Sequence, residues 1–491
     1  MAAVVNEGLL DERLAKLETA RAWSPRLVSK LESHIRAADD EALFRINPFT
    51  FARERNLGEG EVIDLLLHAT SLGLFGMDWL LVCSKCACVV ESLRSLNGVH
   101  THYHCSACQV GYEAVLDEFI AVAFTISPEI RAIPFHHPER LSALDYCFKY
   151  GATRDGVLPD GTPFANVKIA LTKAASHLPP GETTRLAIEA NAGTIFGSSP
   201  EGKASLLYTI EGPPAATAQV AHVRFDKPVR EHARGSVAPG TITFELENAT
   251  AERGTFFLAV LPPGVEVGKA PLRFLPFLTG KRLLTTQAFR DLFRSEVIQA
   301  SEGIAVKDIA LLFTDLKGST ALYDRIGDLN AFALVQRHFE RLQDVTVRHH
   351  GAIIKTIGDA VMAAFLNPAD AVAAALAMRA EIAGFNRGQP DRQLILKIGI
   401  HKGAAIAVTL NERLDYFGQT VNIASRVQHL ADADEIYVSE NAYEDDAVKA
   451  ALEPFPIDSK IAKLRGVQQD LRVFRIAAPT ALEGSSAPAG E

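Results

Sequence analysis

The stretch Ile309–Thr320, IALLFTDLKGST, restricts the folds open to this chain more than any other. The apolar residues Ala310–Phe313 run without interruption into an acid, Asp315, and a loop with Gly318, Ser319 and Thr320 follows. Such a run suits a strand placed centrally in a sheet, with both faces covered. An acid at the end of that strand is badly placed for packing but well placed to hold a cation. The free N–H groups of the loop and of the next helix start could meet a phosphate beside it. On these residues alone, an Asp that merely caps the helix is an equal reading.

At 491 residues the chain exceeds what one core organises, and its length predicts roughly three domains. A net charge of −9 argues against binding nucleic acid through bulk charge. Met1 leads into the charged, helix-like NEGLLDERLAKLE, so no secretory signal is expected. The apolar stretch from Val62 to Cys83 is interrupted by Asp64, His68 and Asp78, and reads as a core helix plus a strand and not a membrane span. A cytoplasmic protein without a membrane segment is expected.

Residues 1–80 are predicted to be helical, ending in a short helix over Phe49–Asn56, a turn with Gly58 and Gly60, a longer apolar helix and a strand. That order resembles a winged helix-turn-helix. Residues 1–60, however, hold nine Lys/Arg against ten Asp/Glu. The basic face that dominates DNA affinity is therefore missing, which favours a protein-contact or regulatory role.

Cys83-Ser-Lys-Cys86 and Cys105-Ser-Ala-Cys108 are separated by 18 residues. Two such knuckles supply four thiolates that can close a tetrahedron around a structural Zn²⁺, predicting a zinc ribbon over 81–115. Cys88, His100, His102 and His104 stand nearby as alternative ligands, and Cys147 reads as a core residue. From 116 to 283 short β-rich runs such as FIAVAFTI, ASLLYTIEG and GTITFELEN alternate with Pro and Gly clusters, predicting a sandwich-like domain. Within it Gly197–Lys203 nearly spells a phosphate-binding loop. Ala204 stands where a Ser or Thr should hold Mg²⁺, and a strand-like run follows, so a hairpin is expected there. Residues 284–305 are predicted to form an amphipathic linker helix with Phe289, Leu292, Phe293 and Val297 on one face.

From 306 to 478 strand and helix patterns alternate around one tight hairpin, AIIKTIGDAVM, which predicts an α/β domain with a mixed sheet. The hairpin's Gly358-Asp359 turn presents Asp359 beside the end of the Asp315 strand if the two strands are neighbours. Two converging carboxylates suit a pair of Mg²⁺ ions bridging phosphate oxygens. Lys355 falls on the same face by strand alternation. Asn422 and Arg426, four apart, share one face of a helix after LDYFG, with Val421, Ile423 and Val427 toward the core. An always-charged Arg there suits a transition-state phosphate. Residues 479–491 read as a disordered tail.

FTDLKGST, KTIGDAVM, KIGIHKG and LDYFGQTVNIASR, in this order, resemble the class III nucleotide cyclases, that is, the adenylate and guanylate cyclase catalytic domain. The resemblance covers Val306–Ile476, about a third of the 491 residues, and implies a ferredoxin-like α/β domain. The whole chain is accordingly expected to be multidomain α+β. The resemblance also implies roles. Asp315 and Asp359 hold two Mg²⁺ or Mn²⁺ ions, Lys355 and Asp415 read the purine, and Asn422 and Arg426 serve the transition state. Lys463 contacts the triphosphate, in a segment, IAKLRGVQQD, that departs from the family's usual VKGKG and in which Lys460 competes. Lys can donate to an adenine ring nitrogen and Asp can accept from its exocyclic amine, whereas guanylate-type members carry Glu and a small residue such as Cys. ATP is thus the implied substrate, and 3′,5′-cyclic AMP and pyrophosphate the products. A homodimer is implied as well, each site combining the acids of one chain with the Asn/Arg of the other. A guanylate cyclase and a non-catalytic nucleotide-sensing protein are the alternatives. An unidentified regulatory ligand or protein is expected to act on the N-terminal half, whose order of segments resembles that preceding the domain in some bacterial cyclases.

Overall fold

A computed structural model describes residues 5–199, 204–226, 231–299, 303–387, 394–467 and 470–477. The chain divides into two compact units, Met1–Gly280 and Lys281–Glu491. The tail after 478 lies outside the described residues.

The first unit is β-rich, with its helices gathered at the N-terminus. Helix Glu7–Ala20 buries Leu10, Leu14 and Leu17, one stripe at helical spacing. Helix Pro48–Glu54 begins where Asn47 Oδ1 accepts from Phe49 N (2.9 Å) and Pro48 occupies the first turn, which needs no N–H there. The strand Phe75–Val82 that follows is an inner strand of a four-stranded sheet, lying between Ile120–Ile126 and Val89–Leu93. Segments 1–80 and 116–283 therefore share one sheet, and the expected boundaries at 80 and 115 do not separate independent bodies. The apolar, both-faces-buried character of FGMDWLLV and IAVAFTI makes each the other's natural partner. Beyond them lie a five-stranded sheet and a three-stranded one whose inward residues, among them Ile195, Leu206, Phe244 and Phe256, form a common core. Gly197–Ser199 and Ala204–Ile210 belong to antiparallel strands, with Ala204 opposite Ser199. The P-loop-like run is thus strand on both sides, and residues 200–203 between them lie outside the described residues.

In the second unit the predicted linker helix is broken. Only α1 (Gln287–Leu292) is helical in the Thr286–Phe293 region. The hydroxyls of Thr285 and Thr286 bond back to Arg282 O (3.0 and 2.8 Å), closing the preceding turn and separating it from α1. The remaining elements are β1 (Ile304–Leu316), α2 (Ser319–Ile326), α3 (Asp328–Arg348), β2 (Gly351–Ile357), β3 (Ala360–Phe365) and α4 (Pro368–Arg387). They continue as β4 (Leu396–Leu410), β5 (Arg413–Phe417), α5 (Gln419–His429), β6 (Ile436–Ser439), α6 (Glu440–Tyr443), α7 (Asp446–Leu452), β7 (Ile457–Ala462) and β8 (Leu471–Ile476). The strands run in the order β2-β3-β1-β4-β6-β8-β7, with β5 folded back on β4. The strands from β1 to β4 thus form a βαββαβ unit with β1 at its centre, as the apolar run Ala310–Phe313 requires. One face, with Ala310, Leu312, Ala363 and Ile398, is covered by Leu334, Leu342 and Val345 of α3 and by Val372, Ala375 and Met378 of α4.

His338 on α3 is fully buried, and neither ring nitrogen has a partner. Burial pushes its pKa down to about 4, against about 6.5 when unfolded. Below pH 6.5 the unfolded chain therefore takes up a proton that the native ring refuses. Stability should fall by about 2 kcal/mol between pH 7 and pH 5 from this group alone. His338→Leu should flatten that part of the profile when melting temperatures are measured at the two pH values.

Candidate active site and candidate metal centre

Asp315 stands at the end of β1, half-buried, and is no helix cap. The residue before α2 is Gly318, in the left-handed region (φ 73°), and no side chain caps that helix. Pairing of β1 with β3 sets Thr314 opposite Val361, and Thr314 Oγ1 accepts from Val361 N (3.2 Å). This clamps the end of β1 to the start of β3, next to the turn Gly358-Asp359. Gly358 has φ 63°, which a residue with a Cβ adopts only with strain. Among the described residues, the Asp359 Oδ2 oxygen is buried without a hydrogen-bond partner. A carboxylate oxygen in that state is costly unless a cation meets it. Asp315 Oδ2 faces Lys397 Nζ at 3.3 Å, its register partner on β4. Asp315 therefore already holds one cationic group, and the carboxylate donors of Asp315 and Asp359 suit hard divalent ions. Lys397 escaped the sequence reading because only strand register brings it to Asp315.

Lys355 and Asp415 are 60 residues apart and meet in an ion pair, Nζ to Oδ2 2.5 Å. The β2–β3 register shifts between Ile353 and Lys355, a bulge that re-aims the lysine along the sheet. Asp415 lies on β5, buried, and its second oxygen accepts from Tyr416 N (2.8 Å). Helix α1 braces both strands: Gln287 Oε1 accepts from Ile353 N (2.7 Å) and Arg290 donates to Leu414 O. These two bracing residues were also missed, since the pattern over 284–305 showed only apolar spacing.

Helix α5 lies on the other face of the sheet. A Cβ at Gly399 would come within 2.1 Å of Gln428 N, so glycine is needed for the helix to approach β4 this closely. The helix buries Thr420, Ala424, Val427 and Gln428, whereas Val421 and Ile423, expected toward the core, are only half-buried. The Thr420 hydroxyl bonding to Ala404 O sets this rotation. Asn422 is exposed and Arg426 half-buried. The Arg426 guanidinium lies about a contact distance (3.4 Å) from where a Gly466 Cβ would be, three residues beyond Lys463. Lys463 is exposed at the start of that loop, whereas the Lys460 ammonium sits over the Tyr437 ring at 4.8 Å. Among the described residues no hydrogen bond or ion pair joins Asn422 or Arg426 to Asp315 or Asp359.

In the first unit the sulfurs of Cys83, Cys86, Cys105 and Cys108 all lie within 4.8 Å of one another. Tetrahedral Zn–S bonds of about 2.3 Å would set them about 3.8 Å apart. The two knuckles repeat one turn: Ala87 N donates to Cys83 O (2.9 Å) and Gln109 N to Cys105 O (2.8 Å), with Ala87 and Gln109 both left-handed (φ 57° and 54°). Hydrogen bonding from Cys105, then from Cys108 and Cys86, holds the Cys83 thiol far below the ordinary thiol range. Cys88 is outside the cluster, its sulfur accepting from Lys168 Nζ (3.6 Å). Cys147 is buried in the core, as expected.

Residues 303–454 match the adenylate and guanylate cyclase catalytic domain family. This part of the chain is a class III nucleotide cyclase domain. Residues 11–291, more than half of the chain, match a family of unknown function (DUF5939), and the chain belongs to that family. A putative adenylate cyclase of Rhizobium meliloti is 32% identical over 146 residues, 30% of this chain and 24% of that protein. A second adenylate cyclase of that organism is 30% identical over 154 residues (29% and 42%). A pH-sensitive adenylate cyclase of Mycobacterium tuberculosis is 29% identical over 209 residues (41% and 50%). The chain thus spans half or less of the length of each of these relatives. Among solved structures, the adenylyl cyclase CyaB of P. aeruginosa is 21% identical, with 37% of this chain and all of that one covered, at a TM-score of 0.32. Among the described residues no helix is long and apolar enough to cross a membrane.

Proposed function

We propose that the protein is an adenylate cyclase that converts ATP to 3′,5′-cyclic AMP and pyrophosphate, as a homodimer controlled by its N-terminal half. The observation that carries this reading is the Lys355–Asp415 ion pair. A lysine donor beside a carboxylate acceptor complements the ring nitrogen and exocyclic amine of adenine, and opposes the acceptor and donor pattern of guanine. Asp315 and Asp359 would hold the two Mg²⁺ or Mn²⁺ ions. When bound, these acidify the ribose 3′-hydroxyl and offset charge on the α-phosphate. Asn422 orients the ribose and Arg426 neutralises developing charge on the phosphate during in-line displacement. Lys463 holds the triphosphate in preference to Lys460, which is occupied by Tyr437. That, among the described residues, no hydrogen bond or ion pair joins Asn422 or Arg426 to the two acids within one chain supports sites completed by a second copy. Cys83, Cys86, Cys105 and Cys108 would hold a structural Zn²⁺, a closed set with no position for a substrate water.

The test is a cyclisation assay with ATP and GTP under Mg²⁺ and Mn²⁺. Wild-type protein should make cyclic AMP. Lys355→Glu alone would set two carboxylates against each other, so it is paired with Asp415→Cys. The double variant should shift the ATP/GTP ratio of kcat/KM toward GTP by about 100-fold, the worth of two reversed hydrogen bonds. An unchanged ratio would refute the base-reading assignment. Absence of product under either metal would refute the enzyme.

A further inference from the structure

Unit Met1–Gly280 holds a cleft of about 270 Å³ whose lining includes Arg45, Arg55, Lys149 and Arg154. That volume admits a small metabolite, a little below the usual range for drug-sized ligands. Arg55 and Lys149 have carboxylate partners, Glu54 and Glu41. Arg45 and Arg154 do not: among the described residues neither has an acid within ion-pair distance. Arg45 Nη1 donates to Tyr150 O (2.5 Å) and Arg154 Nη2 to Phe44 O (2.5 Å), both neutral carbonyls. The Arg45 Nε is buried with no hydrogen-bond partner among the described residues. Asp78, the nearest acid behind it, is already bonded by Arg94 (3.0 Å) and by the Thr125 hydroxyl (2.5 Å).

Arg45 is also held rigidly. Its guanidinium carbon lies 4.6 Å from the Phe44 ring centre and 4.7 Å from that of Tyr150, and these rings are themselves stacked. Its backbone is left-handed (φ 48°), a conformation that costs a side-chain-bearing residue free energy and that concentrates at functional sites. A strained backbone, a fixed guanidinium and a half-buried charge with no ion-pair partner among the described residues are each destabilising when nothing binds. Two acids also line the cleft. Glu54 is engaged by Arg55 (3.3 Å), and burial raises the pKa of Asp155, which accepts from Asn47 Nδ2 (2.8 Å) and Thr153 Oγ1 (3.1 Å). The cleft therefore keeps a positive balance.

We propose that this cleft is a binding site for a small organic anion, its carboxylate or phosphate group received by Arg45 and Arg154. A guanidinium presents paired N–H donors matched to either group. The apolar lining, with Phe44, Leu80 and Phe277, takes the rest of the molecule. The site lies in the part of the chain that matches a family of unknown function, and it does not depend on the cyclase reading.

The test uses the full chain with inorganic phosphate, pyrophosphate and citrate as probes at 10-fold increments up to millimolar concentration, read by thermal unfolding. At least one probe should raise the melting temperature of the N-terminal transition by several degrees, saturably, in wild-type protein and equally in Arg426→Ala, which separates this site from the cyclase site. Arg154→Gln, at an exposed position, should reduce the apparent affinity at least 10-fold, and Arg45→Met with Arg154→Gln should abolish the shift. Should Arg45→Met not fold, the Arg154→Gln titration decides alone. No saturable shift with any of the three, or a shift that persists in the Arg154→Gln protein at unchanged affinity, overturns the proposal.

Discussion

Asp359→Ala and Arg426→Ala, each purified alone, should lose cyclisation by at least about 1,000-fold, and mixing the two should restore about a quarter of wild-type activity. The first loss follows from removing the buried Asp359 oxygen that has no protein partner. A metal-held charge is worth several kcal/mol in the transition state, and about 4 kcal/mol is a factor of 1,000 in rate. The second loss follows from removing the cation proposed to offset charge on the phosphate. The restoration follows from symmetry. If each site takes its acids from one chain and Asn422 with Arg426 from the other, a mixed dimer has one site with both defects and one with neither. Random exchange makes about half the dimers mixed, each with one working site of two, hence about a quarter. Recovery is read by cyclic AMP production after subunit exchange. No recovery, in a mixture shown to contain mixed dimers, would mean that each site is built within one chain. Both variants should melt like wild type, because among the described residues neither side chain carries a hydrogen bond that its loss would break.

The parts of this site that were legible in the sequence are those whose signals are local. A continuous apolar run ending in an acid needs a central strand, and β1 is one. Gly358-Asp359 between two strand patterns needs a left-handed turn, and Gly358 supplies it. What escaped depends on contacts between distant segments. Strand β4 runs from Leu396 to Leu410. HKGAAIAV has weak β propensity, and it is extended because Ile304–Val306 pair with Ala405–Ala407. The β4–β5 turn is Asn411-Glu412, both left-handed (φ 50° and 61°), where a turn of this kind ordinarily announces itself with a glycine. Without that signal Asp415 could be assigned a role by resemblance but not a strand. The linker helix failed for a different reason. Its apolar spacing is real, yet two adjacent threonines bonding backward divide it, and side-chain competition for backbone carbonyls does not appear in hydrophobic periodicity. In the first unit, pairing between Phe75–Val82 and Ile120–Ile126 joins segments that look compositionally distinct.

Cys105→Ser should empty the proposed N-terminal metal centre and lower the melting temperature of that unit by about 7 °C or more. Four sulfurs inside 4.8 Å, three of them buried, leave no room for water to solvate thiolates. Without an ion the cluster must carry protons and tolerate close sulfur contacts, such as Cys86 to Cys105 at 3.6 Å. With Zn²⁺ the same crowding becomes the correct spacing. Zinc contributes about 10–16 kcal/mol to small zinc-dependent folds. This unit has its own cores, so only a part of that is at stake. Even about 4 kcal/mol corresponds to about 7 °C for a body of this size. The checks are metal content, expected at one zinc per chain in wild type and near zero in the variant, and calorimetry of the N-terminal transition. Cys88→Ser provides the contrast. Cys88 shares the sequence neighbourhood but its sulfur faces Lys168, so this variant should keep its zinc and most of its stability. Zinc retained by Cys105→Ser and lost from Cys88→Ser would reassign the ligands and refute the closed four-cysteine centre.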